Sequence, residues 1–131
     1  MNQPIQAASA LIIYGDKILF VRSDTTKEQW GFPGGKQMGC ETLQQTAERE
    51  INEELSLEIK IKSELGSYIY TSRNRTFHIK CFIAESKCLD FREDPDEIIE
   101  AKWCTLEEAL ALNLTSTTRE ALDRFISLRE Q

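Results

Sequence analysis

The sequence predicts an α/β fold, a mixed β-sheet with helices packed against it. Three observations carry this. Runs rich in β-branched and aromatic residues alternate with helix-like segments, without strict β-α-β periodicity. Three helix starts are marked by a threonine with Gln or Glu three residues on: Thr42/Gln45, Thr105/Glu108 and Thr117/Glu120. The chain has 131 residues, 40% of them hydrophobic and 29% charged, which suits one domain over 1–131 with a substantial core.

In chain order, Ile5 to Tyr14 and Lys17 to Arg22 read as strands, joined by the two-residue turn Gly15-Asp16. Ser23 to Gln29 is a polar loop. Trp30, Phe32 and Pro33 form a short extended piece that ends in a tight bend at Gly34-Gly35. A helix follows from Thr42, with Leu43, Ala47, Ile51 and Leu55 as its apolar stripe. Leu57 to Tyr70 and Arg75 to Ala84 are longer strands joined through Ser72-Arg73-Asn74. In the second, Phe77, Ile79, Cys81 and Ile83 alternate with His78, Lys80 and Phe82, and the first set is read as the inward face. Glu85 to Asp96 is a charged loop containing Pro95, and Ile98 to Cys104 is the next strand. Thr105 starts a short helix through about Ala111. Thr117 starts the last one, with Leu122, Phe125, Ile126 and Leu128 docking on the core.

A net charge of −6 argues against a partner with a long run of phosphates, so neither duplex nucleic acid nor a membrane surface is expected. No apolar run is long enough to span a bilayer, and no basic region precedes a secretory-type segment. The expectation is a cytoplasmic protein. Cys40, Cys81, Cys88 and Cys104 make no C-x-x-C pair, and the single histidine, His78, has no cysteine near it. That spacing does not build a zinc site, and Cys81 and Cys104 read as small core residues.

The helix after Thr42 carries the chemistry. Glu50 and Glu54 stand at i,i+4 with Glu53 beside both, and like charges at that spacing oppose a helix by roughly 0.2–0.5 kcal/mol per pair. On a helical wheel Glu50 and Glu54 flank the apolar stripe, so these acids face a cleft rather than open solvent. Such carboxylates suit a hard cation, Mg²⁺ or Mn²⁺, and Mg²⁺ usually shares its shell with waters and substrate phosphates. A metal there can polarise a phosphoryl oxygen. Gly34-Gly35 lets backbone approach such a site closely. Arg49, set among the acids, reads as an ion-pair partner that orients Glu41 or a ligand carboxylate.

Residues 35–57 resemble the signature of the Nudix hydrolase (MutT-like) family, G-x5-E-x7-R-E-U-x-E-E-x-G-U with U a bulky aliphatic residue. Gly35 opens it, KQMGC fills the first gap, and Glu41 follows. TLQQTAE fills the second gap, and then come Arg49, Glu50, Ile51, Asn52, Glu53, Glu54, Leu55, Ser56 and Leu57. Each defined position matches except the late glycine, which is Ser56 here. The flanks W-G-F-P-G-G and E-A-K-W are also similar to the family.

The resemblance implies an α/β/α sandwich with a mixed sheet and a loop-helix-loop catalytic box. It implies metal-dependent hydrolysis of a nucleoside diphosphate linked to another moiety, by water attack at phosphorus. By position, Gly35, Glu50, Glu53 and Glu54 would hold Mg²⁺ or Mn²⁺, with Glu53 also catalytic, and Arg49 with Glu41 would form the supporting ion pair. Glu97 and Glu100 are the candidates for an assisting glutamate outside the box, with Glu97 favoured for its place before a strand. Arg22, Arg75 and Tyr70 are candidate contacts to a small nucleotide. The proline typical of ADP-ribose-cleaving members and the tyrosine of dinucleoside polyphosphate members are both missing around Ser72-Arg73-Asn74. A nucleoside triphosphate or broad-range substrate is therefore favoured over those two. A catalytically silent nucleotide-binding module is the other reading, and the intact acids speak against it. The chain is expected to be a monomer or homodimer.

Overall fold

The computed structural model describes residues 3–130. Gly15-Asp16 closes the predicted hairpin. β1 (Ile5–Tyr14) and β2 (Lys17–Ser23) pair antiparallel, with Tyr14 opposite Lys17. The loop 24–33 returns the chain to β1 as β3 (Gly34–Lys36), antiparallel to it with Gly35 opposite Ala8. The tight bend expected at Gly34-Gly35 is thus a short strand. The glycines are there for close approach: a methyl group on Gly34 would strike the Ala8 carbonyl and Ser9, both in the neighbouring strand.

Helix α1 (Leu43–Leu55) starts where the capping box predicts. The Gln45 amide donates to Thr42 Oγ1 at 3.1 Å, and the Thr42 amide donates to Gln45 Oε1 at 2.8 Å. It ends at Ser56 in the left-handed conformation (φ 51°, ψ 41°) that favours glycine. β4 (Ile59–Ser72) and β5 (Arg75–Ser86) form a long hairpin, whose turn residues Arg73 and Asn74 both have positive φ. β6 (Ile98–Thr105) pairs antiparallel with β2 and leads into α2 (Leu106–Leu110), again through the predicted capping box.

The strand order is β4-β5-β1-β2-β6, with β3 beside β1. β1 and β5 run parallel and the other pairs are antiparallel, so the sheet is mixed as predicted. On one face Ala47, Ile51 and Leu55 of α1 pack with Ile12, Leu19 and Phe82. On the other, Leu122 and Phe125 pack with Leu11, Phe20 and Cys81. This is the expected helix–sheet–helix layering. It corrects the single inward face read for β5: Phe82 is buried, because helical layers cover both sides and alternation there separates two cores.

The last helix, α3 (Ser116–Arg129), begins at Thr115 rather than Thr117. Thr115 is extended, and its hydroxyl accepts from the Thr118 amide at 3.4 Å. Its own amide donates to the Trp30 carbonyl at 3.0 Å, beside the Trp30–Leu114 bridge. A tertiary contact therefore sets the start of the helix. Leu128, expected to dock, is exposed, whereas Leu122 and Phe125 are buried as predicted.

Candidate active site

Glu41 precedes α1 and is held by four donors. The Met38 amide donates at 2.8 Å, Thr46 Oγ1 at 2.9 Å, Arg49 Nη2 at 2.7 Å and Arg49 Nε at 3.0 Å. The Arg49 hydrogen bonds do most to hold this carboxyl down, at a pKa of about 2. Glu41 in turn leads the partners that raise the Arg49 pKa. Arg49 also donates from Nη1 to Glu50 at 2.9 Å and Glu53 at 3.2 Å, and from Nη2 to the Lys36 carbonyl at 3.0 Å. One guanidinium thus ties the loop before α1, the end of β3 and two acids of the helix into one body. The predicted ion pair is present, and it reaches further than expected.

Glu54 lies inside the wedge between α1 and β3. It is 6% exposed, and its Oε1 accepts from the Gly34 amide at 3.3 Å. Burial pushes its pKa up to about 9, with the negative charges of Glu50 and Glu97 adding to the rise. Glu50 is also raised, by burial first, against the pull of Arg49. Its carboxylate sits against the Cα of Gly35, where a methyl group would collide with it. Carboxylate oxygens of Glu50, Glu54 and Glu97 lie within 4.8 Å of one another. Glu97 enters from the turn ahead of β6.

This donor set fits a hard divalent cation. It is all oxygen, it gathers acids on two separate segments, and two of the three are disfavoured as bare carboxylates by burial. Glu50, Glu54 and Glu97 are the residues that would hold the ion.

The remaining predicted site residues divide clearly. Glu53 is exposed and leans on Arg49, outside the three-oxygen cluster. Glu100 pairs with Arg22 at 3.1 Å across β6 and β2, so each satisfies the other away from the cluster. Arg22 also lies 5.4 Å from the Trp30 ring centroid. Arg75 opens β5 five residues before Lys80, the residue level with Ala8 and Gly35. At the rise of a strand that is roughly 17 Å along the sheet. Tyr70 packs on Phe77, with ring centroids 6.0 Å apart. The neighbouring aromatics Tyr68 and Phe82 are core residues.

Sequence reading missed Thr46, which is fully buried and orients Glu41 from one turn into the helix. A threonine beside the apolar stripe was its one signal. It also missed the loop 87–97 as a support of α1. The Arg92 amide donates to the Leu55 carbonyl at 2.9 Å, and the Asp94 amide to the Glu54 carbonyl at 2.8 Å. No local pattern marks those contacts.

A model of the NUDIX domain matches residues 4–125. The CTP pyrophosphohydrolase of Escherichia coli (strain K12) is 28% identical over 130 residues, covering 95% of this chain and 93% of that protein. The crystal structure of a MutT NUDIX hydrolase from Burkholderia pseudomallei superposes with a TM-score of 0.85 at 26% identity, covering 94% of this chain and 98% of that one. A C. elegans Ap4A hydrolase binary complex shares the fold, with a TM-score of 0.82 at 21% identity, covering 96% and 98%.

Proposed function

Since this chain belongs to the NUDIX domain family and is a Nudix hydrolase, we propose that it is a metal-dependent pyrophosphohydrolase of nucleoside triphosphates or related nucleotide derivatives. The observation that carries this is the convergence of Glu50, Glu54 and Glu97 beside Gly34-Gly35, with Arg49 and Glu41 locked behind them. The E. coli relative, named for CTP, supports a nucleoside triphosphate as the substrate class.

In this reading the 131-residue chain works as one domain. Glu50, Glu54 and Glu97 would hold Mg²⁺ or Mn²⁺, with the Gly35 carbonyl as a further donor and Glu53 as another once it leaves Arg49. When bound, such an ion supplies charge neutralisation to the phosphates and lowers the cost of ionising a water. The chain's own residues do the rest. Arg49 keeps Glu50 aimed across β3, and Glu41 keeps Arg49 in place. Burial of Glu54 limits the competing hydration of its carboxylate. Glu53 and Glu97 are exposed beside Glu50 and Glu54, which supports a role for them in taking the proton of a water attacking phosphorus. Arg22 and Tyr70 would have to leave their present partners to touch the substrate, and Arg75 would act at its edge.

The test is a panel of nucleoside triphosphates, ADP-ribose, dinucleoside polyphosphates and nucleotide sugars, incubated with Mg²⁺ or Mn²⁺ and analysed for nucleotide products. Wild type should release a monophosphate and pyrophosphate from at least one triphosphate, and Glu53→Gln and Glu54→Gln should lose most of that turnover. Turnover of no compound, or equal turnover by the substituted proteins, would overturn the assignment.

A further inference from the structure

Glu97 belongs to a loop, yet its carboxylate meets two acids held by a helix. Something must fix the loop, because a carboxylate on a free segment spends little time in one place. The residues that do this are in the four-residue stretch Asp94-Pro95-Asp96-Glu97. The Glu97 amide donates to the Asp94 carbonyl at 3.0 Å, closing a turn, and the Ile98 amide donates to the same carbonyl at 2.8 Å. The Asp94 side chain accepts from the Asp96 amide at 3.0 Å through Oδ1. Aspartate at the first position and proline at the second are the residues such turns favour. The aspartate accepts from the backbone two residues on, and the proline restricts φ.

The other side of Asp94 faces α1. Its amide donates to the carbonyl of Glu54 at 2.8 Å, and the Arg92 amide takes the carbonyl of Leu55 next to it. Those carbonyls are among the last of α1 and have no partner within the helix. Asp94 therefore bridges two acids of the cluster through its own backbone: its N–H binds Glu54 and its C=O binds Glu97. Its side chain keeps the turn between them closed.

We infer that Asp94 is a positioning residue, whose side-chain acceptor holds the 94–97 turn so that Glu97 meets Glu50 and Glu54. The inference rests on the proposal above that these acids hold a divalent cation. Asp94 is not one of the three clustered carboxylates. It acts through Glu97. Outer-shell partners of metal-binding carboxylates typically change metal affinity by about 10–100-fold, and one side-chain hydrogen bond in an exposed turn belongs at the low end of that range.

The experiment measures Mn²⁺ binding by electron paramagnetic resonance, without substrate, for wild type, Asp94→Ala, Asp94→Asn, Glu97→Gln, and Asp94→Ala combined with Glu97→Gln. Thermal unfolding is recorded for each. Asp94→Ala should weaken Mn²⁺ binding by about 10-fold. Asp94→Asn keeps an acceptor oxygen and should bind nearly as wild type does. The combined variant should bind no more weakly than Glu97→Gln alone, because the turn has nothing left to position. Wild-type affinity in Asp94→Ala, equal weakening in Asp94→Asn, or additive losses in the combined variant would each overturn the inference. Should wild type itself bind no Mn²⁺, or Glu54→Gln bind it unchanged, the metal-site proposal fails instead, and the inference falls with it. If Asp94→Ala does not fold, the Asp94→Asn rescue and the wild-type–Glu97→Gln comparison decide: an Asn variant that folds but binds weakly overturns it.

Discussion

Glu54→Gln should make the metal-free protein more stable while abolishing its metal response. The residue is 6% exposed with a folded pKa of about 9, against 4.5 for an ordinary glutamate. Between these values the folded state holds a proton on Glu54 that the unfolded chain has released. Folding therefore binds protons, and stability is full below pH 4.5 and falls as pH rises toward 9. At 1.36 kcal/mol per pH unit, the loss accumulated by pH 7 is at most about 3 kcal/mol, and coupling to Glu50 and Glu97 makes about 1–3 kcal/mol the range to look for. Glutamine has nearly the same shape, keeps an oxygen for the Gly34 amide, and cannot ionise. The measurement is urea unfolding at pH 6 and pH 8, with EDTA or with Mg²⁺. With EDTA the variant should be the more stable protein, by a margin that grows from pH 6 to pH 8. With Mg²⁺ at about 100 times its dissociation constant, wild type should gain roughly 2.7 kcal/mol and the variant little. A variant that is less stable than wild type in EDTA at pH 8, or a margin that does not change with pH, would refute the reasoning that burial of an ionisable Glu54 costs stability.

Ser56→Gly should stabilise the chain by about 0.5–1 kcal/mol, because Ser56 has φ 51° and only glycine adopts that region without cost; an unchanged urea midpoint would count against strain at this cap. Arg49→Lys keeps the charge but cannot repeat the two-nitrogen grip on Glu41, so turnover on the preferred nucleotide should fall about 10-fold or more; near-wild-type kcat would show that charge alone suffices. Ile51→Ala empties a fully buried position under the sheet and should cost about 2–5 kcal/mol in chemical unfolding, and a loss under 1 kcal/mol would show that the α1 face repacks.

Helix α1 was legible because its signals are local. The Thr42–Gln45 capping box joins residues three apart, and Ala47, Ile51 and Leu55 lie one turn from each other, so sequence spacing alone places them. The same holds for the Gly15-Asp16 hairpin, the Thr105–Glu108 start of α2 and the ion pair of Arg49 with Glu41. Spacing also put Glu50 and Glu54 beside the apolar stripe of α1, but it could not say how deeply each acid is buried. Neighbouring helix residues differ in burial by what packs against each, and β3 covers Glu54 while leaving Glu53 at the surface.

What the sequence by itself determined was the order of the longer strands and the helices, the mixed α/β character and the family signature of residues 35–57. The tertiary structure decided that Gly34-Gly35 is a strand, that both faces of β5 are buried, that α3 starts at Thr115, and that Glu97 rather than Glu100 joins Glu50 and Glu54. The physical reason is the same in each case. These outcomes depend on hydrogen bonds and packing between residues far apart in the chain, such as Asp94 with Glu54 and Thr115 with Trp30, and no periodicity within one segment encodes a partner in another.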